Sequence, residues 1–78
     1  GTNDYFEIFG NKEAWKQFEV QIFDRIGEKV YESNDMYFKW DGTYKGQEVP
    51  NGVYAYYAEV TFINEQAQIY QGNVTVIR

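Results

Sequence analysis

Trp40-Asp41-Gly42-Thr43-Tyr44-Lys45-Gly46-Gln47-Glu48-Val49-Pro50-Asn51-Gly52-Val53-Tyr54 sets two glycine-bearing turns and the lone proline of the chain between two apolar runs. Such punctuation reads as a β-hairpin. The ring of Pro50 presets φ for the second position of a turn, Asn51 tolerates the third, and Gly52 can take the positive φ that closes a hairpin. The block carries turn chemistry and no reactive pair.

Downstream, Tyr54, Tyr56, Ala58, Val60 and Phe62 share one face of a long strand, with Tyr57, Glu59 and Thr61 opposite. Asn64-Glu65-Gln66 turns the chain back into Gln68-Ile69-Tyr70-Gln71. After Gly72-Asn73 a last strand, Val74-Thr75-Val76-Ile77, puts Val74 and Val76 inward. Upstream, Phe18, Val20 and Ile22 alternate with Glu19 and Gln21 in the clearest strand signal of the chain. Asp24-Arg25-Ile26-Gly27 is a turn, with Gly27 free to take positive φ, and Lys29-Val30-Tyr31-Glu32 is the returning strand. Tyr5-Phe6-Glu7-Ile8-Phe9 also alternates, and Gly10-Asn11 ends it. Asn11 to Gln17 fits a loop or a single helical turn, since seven residues barely make two turns. Ser33-Asn34-Asp35 is turn chemistry, and Tyr37-Phe38-Lys39-Trp40 reads as a short strand or bulged edge. About seven short strands with no room for helical crossovers predict an all-β fold, an Ig-like antiparallel β-sandwich.

The 78 residues predict a single domain spanning 1–78, in which roughly 63% of the unfolded surface is buried on folding. The chain has neither Cys nor His, so the usual zinc, haem and iron–sulfur ligand sets and any disulfide framework are excluded. Aromatic residues make up 21%, a share that suits a pleated, half-buried surface. A net charge of −5 with scattered basic residues argues against nucleic acid. No apolar run reaches the roughly 18 to 20 residues that span a bilayer, and no secretory leader pattern stands at the start. The opening Gly1-Thr2-Asn3-Asp4 and the single, internal Met36 suggest a piece of a longer protein.

Without His or Cys the common nucleophile–base pairs are missing, so an enzyme is not expected. Most acidic residues sit at alternating strand positions and read as a solvated face. Asn34-Asp35 with Asp41, and Asn3-Asp4, could offer oxygen ligands to calcium, although no loop shows a close-spaced acidic pattern. Trp40 and the tyrosines admit an aromatic platform for sugar or peptide. Tyr54 and Tyr56 lie on an apolar face and belong to the core, which leaves Tyr57, Tyr31 and Phe23 as candidates for an exposed patch.

The segment Val20 to Ser33, with its Asp24-Arg25-x-Gly27 turn, the Trp40 to Tyr54 block, and the ending Gly72-Asn73-Val74-Thr75-Val76-Ile77-Arg78 together resemble the gliding-motility-associated C-terminal domain family, the type B (CHU_C-like) sorting domain of type IX secretion. Order and spacing are kept over nearly the whole chain. The signature positions are Asp24, Arg25, Gly27, Trp40, Asp41, Gly42, Gly46, Pro50, Gly52, Tyr54 and Gly72. The resemblance implies a C-terminal sorting signal on a larger exported protein, with no catalytic residue, metal or other cofactor. It further implies recognition by the type IX translocon and by an SprF (PorP-like) outer-membrane partner, with passage through the periplasm to the cell surface or medium. Phe23, Tyr31, Tyr57 and Arg78 are the candidates for recognition. In the family the first turn usually reads Arg-Trp-Gly where this chain has Arg25-Ile26-Gly27, which removes an exposed aromatic. Of an upstream family segment only Gly1-Thr2-Asn3-Asp4 is present, so an N-terminal strand is expected to be lacking, and an unpaired edge would invite self-association. The Trp-Asp-Gly to Val-Pro-x-Gly-x-Tyr pattern also resembles a structural Ig-like module of flagellar hook-capping proteins, and aromatic content alone suggests a carbohydrate-binding module. The Gly72 to Arg78 ending and Ile22-Phe23-Asp24-Arg25-x-Gly27 favour the sorting family.

Overall fold

The computed structural model describes residues 5–78, and its backbone is built from six antiparallel strands and one short 3₁₀ turn. The turn spans Lys12–Ala14. The strands are β1 (Trp15–Phe23), β2 (Lys29–Ser33), β3 (Thr43–Tyr44), β4 (Gln47–Glu48), β5 (Gly52–Phe62) and β6 (Ala67–Val76). Four of them form one sheet in the order β2-β1-β5-β6, while β3 and β4 pair separately. The result is the expected sandwich, with a second layer reduced to a hairpin, a single bridge and the loops between them.

Alternation decides which face is buried. Val20 pairs with Ala58 and Ile22 with Tyr56 across β1 and β5, and Val20, Ile22, Ala58 and Val60 are each 0% exposed. The second layer lies over this face. Phe6 packs on Tyr56 with centroids 4.8 Å apart, Phe38 on Phe18 at 5.7 Å, and Trp40 edge-on to Tyr54 at 5.7 Å. Each such pair contributes about 0.5–1.5 kcal/mol beyond the apolar area it buries. Twelve buried residues form one contiguous cluster, among them Ile8, Trp15, Val30 and Val49. The opposite face of the sheet, with Glu19, Tyr57, Glu59, Ile69 and Gln71, is exposed.

Several sequence-based expectations are corrected. Val49 to Gly52 does not close a hairpin, because β4 pairs with β3 and β5 pairs with β1 and β6. Pro50-Asn51 instead carries the chain across from one layer to the other. The hairpin of this block turns at Lys45 and Gly46, with φ of 54° and 79°. Two consecutive positive φ values give a two-residue loop the twist that flanking strands need. Tyr5 to Phe9 and Tyr37 to Trp40 contribute only one bridge, Phe6 to Trp40, with reciprocal N–H···O bonds of 2.8 and 2.9 Å. Ahead of Trp40, Asp35 takes the local backbone into a turn by accepting from Tyr37 N at Oδ1 (2.8 Å) and from Phe38 N at its carbonyl (3.0 Å). A side chain that captures nearby N–H groups competes with a ladder.

Two shifts in register extend or bend the regular pattern. β1 starts at Trp15, three residues before the clear alternation, and its pairing with β5 slips between Trp15 and Gln17. The extra residue puts both Trp15 and Phe18 on the buried face, their rings stacked 5.7 Å apart. Gly72-Asn73 does not interrupt the last strand, since β6 runs through it with Gly72 opposite Tyr56.

Candidate recognition site

Asp24 builds the first turn of the site. Its Oδ1 accepts from Ile26 N at 3.0 Å and from Glu28 N at 2.8 Å, and Gly27 closes the loop at φ 88°. A short acidic side chain that satisfies two turn amides fixes the loop without a partner elsewhere. Arg25 and Ile26 stand at the tip, Ile26 being 81% exposed.

The Trp40 block builds the second wall. Trp40 is 2% exposed, and its indole N–H donates to Thr43 O at 3.0 Å. Asp41 Oδ1 accepts from Thr43 N and Thr43 Oγ1 at 3.1 and 2.7 Å. Gly42, at φ 83°, presents its carbonyl to Val49 N at 2.8 Å and to Arg78 Nη2 at 2.6 Å. Arg78 also donates from Nη1 to Val49 O and pairs through Nε with Glu48 Oε2 at 2.6 Å. One guanidinium thus ties the end of β6 to the loops on either side of the β3–β4 hairpin. A planar fork with five donors suits this task. Tyr54 O–H donates to Pro50 O at 2.6 Å, an arrangement akin to the tyrosine corner of Ig-like sandwiches. On the other long strand, the Tyr56 ring covers Gly72, where any Cβ would come within 2.9 Å of Tyr56 Cε2.

Between these two walls runs a groove of about 710 Å³, lined by residues that include Arg25, Ile26, Val30, Tyr44, Pro50 and Val53. The Asp24-to-Gly27 turn and the Val49-to-Gly52 crossover, far apart in sequence, meet here. Most signature side chains do not face it as free groups. Trp40 and Tyr54 are buried, Asp24 and Asp41 cap turns, and Gly42 and Gly46 hold positive φ. These residues hold the framework around it, and the exposed lining residues include Arg25, Ile26, Glu28, Glu48, Pro50 and Val53.

The four residues singled out for recognition separate. Tyr57 is 38% exposed on the uncovered face of the sheet, and Phe23, half-buried, lies on that face opposite Ala55. Tyr31 is not part of an exposed patch: it pairs with Ile22 on the covered face, with its ring 6.0 Å from Phe38 and 6.2 Å from Trp40. The shift in register between Ile22 and Phe23 turns it inward while keeping Val30 buried. The Arg78 guanidinium is already engaged within the molecule. The sequence reading missed Ile26 and Val53 as groove residues, though Val53 falls opposite Tyr54 by simple alternation.

The burial of Trp40 and Tyr54 takes both from any sugar platform. Asp35 and Asp41 each commit an Oδ1 to turn amides, and no three acidic side chains converge among the described residues. Asn3-Asp4 lies outside the described residues.

Set against known protein families, residues 1–76 match the one described as CHU_C Type IX secretion signal domain. Comparison with curated proteins and with solved structures gave no match.

Proposed function

The chain belongs to the CHU_C type IX secretion signal domain family, and from that premise we propose that it is a single C-terminal sorting module of a larger exported protein, acting by binding and not by chemistry. The module directs its parent protein into type IX secretion. It is recognised in the periplasm by the outer-membrane translocon together with an SprF (PorP-like) partner, and the parent protein ends at the cell surface or in the medium. The supporting observation is the match along residues 1–76. The groove between the first turn and the Pro50 crossover supports the rest: it gathers exposed apolar atoms of Ile26, Pro50 and Val53 beside Arg25, with the carboxylates of Asp24, Glu28 and Glu48 along the same lining. Exposed apolar groups clustered beside an arginine suit a protein partner. Tyr57 and Phe23 on the open sheet face are assigned a secondary role.

The test is a reporter bearing a signal peptide and this module at its C-terminus, expressed in a type IX-competent cell. The reporter is expected at the cell surface or in the medium. Retention in the periplasm would refute the sorting role. The double substitution Arg25→Glu and Ile26→Asp alters only exposed turn positions, so it is expected to leave thermal stability nearly unchanged while holding the reporter in the periplasm. Undiminished export of that variant would remove the groove from recognition and leave the sorting role standing.

A further inference from the structure

The two edges of the main sheet differ in kind. β2 is five residues long and carries Lys29 and Glu32, paired at 3.0 Å. β6 is ten residues long, Ala-Gln-Ile-Tyr-Gln-Gly-Asn-Val-Thr-Val, with no charged residue and no proline. Among the described residues only β5 pairs with it, so its outer row of N–H and C=O groups has no strand partner. Natural edges are blunted by shortness, by charge, by proline or by bulges. β2 shows shortness, charge and a bulge at Val30, and β6 shows none of the four.

We infer that β6 is a self-pairing edge, joined antiparallel to β6 of a second copy so that two four-stranded sheets become one of eight. The choice of a second copy rests on charge. The chain carries a net charge of −5, yet residues 66–77 hold no charge at all, so two copies can meet along this strand with no like charges face to face. Glu65 and Arg78, of opposite sign, flank the stretch at its two ends. An antiparallel pair about a two-fold axis keeps each sheet face on its own side, so facing residues are an even number apart. With the axis at Gly72, Tyr70 faces the partner's Val74, and Ile69 faces the partner's Thr75. Aromatic–β-branched and β-branched pairs of this kind stabilise antiparallel ladders. The area buried by a single edge falls below the roughly 1,200 Å² of a stable complex, so the pair is weak and dependent on concentration.

Sedimentation velocity over a concentration series tests this independently of secretion. The unsubstituted domain is expected to pass from monomer to dimer as concentration rises. Gln71→Lys, on an exposed position beside the axis, sets two lysines diagonally across it, at positions about 7–8 Å apart, and is expected to leave only monomer, with thermal stability close to that of the unsubstituted domain. Glu32→Gln changes the net charge equally on the other edge and is expected to dimerise as the unsubstituted domain does. An unsubstituted domain that stays monomeric up to its solubility limit overturns the inference and leaves the edge to a strand of another protein. Dimers that persist in Gln71→Lys, or vanish equally in Glu32→Gln, overturn it as well.

Discussion

Tyr54→Phe deletes one oxygen from a side chain that is 5% exposed. The ring keeps its shape, and its edge-on contact with Trp40 at 5.7 Å is expected to survive. What disappears is the 2.6 Å bond from the hydroxyl to Pro50 O, the clasp that holds the crossover between the layers. A hydrogen bond of this sort contributes a net 0.5–1.5 kcal/mol or so, and the part-buried carbonyl left behind adds to the loss, giving about 1.5 kcal/mol in all. In a domain of this size each kcal/mol moves Tm by about 4–8 °C, so the variant should melt about 6–12 °C below the parent. Thermal unfolding followed by circular dichroism measures this directly. Urea titration should show a lower midpoint with an unchanged slope, the mark of lost stability without a change in compactness. A fall in Tm of under about 2 °C would refute the role assigned to the hydroxyl.

Glycine substitutions separate backbone strain from crowding. Gly52→Val places a branched residue at φ 155° with no atom within 4 Å of the new Cβ, so only backbone strain of about 1–3 kcal/mol is expected, and unaltered denaturant stability would contradict it. Gly42→Ala and Gly27→Ala share a positive φ, but only at Gly42 does the new Cβ meet another group, Arg78 Nη2 at 2.6 Å. Paired melting curves should therefore show the Gly42 variant lower by at least about 1 kcal/mol, since Arg78 must leave two carbonyls, and equal losses would dispose of the Arg78 anchor.

Much of the main sheet is legible from alternation, because β1 from Phe18 onward and β5 bury one face only and keep the period of two. The faces assigned to Tyr54, Tyr56, Tyr57, Ala58 and Val60 hold in the structure. The second layer is not legible in this way. Val49-Pro50-Asn51-Gly52 carries stronger turn residues than Lys45-Gly46, yet the hairpin forms at the latter. Lysine at φ 54° has no strong sequence signal, and a crossover uses the same residues as a turn. Trp15 was hidden by an extra residue that breaks alternation, and Gly72 looked like a breaker because the covering ring of Tyr56 comes from another strand. The groove is legible as two signature segments, whereas their meeting is a product of tertiary pairing.

Arg78 and the side chains of Asp24, Trp40, Asp41 and Tyr54 are committed to holding the framework, while Arg25, Ile26 and Val53 face water and carry little of its stability. Exposed positions of this sort tolerate exchange at a cost within about 0.5 kcal/mol. Docking preference can thus be rewritten by a few loop-tip exchanges while the chassis stays put. A binder engineer who grafts foreign tips onto these two loops inherits a scaffold already braced from within.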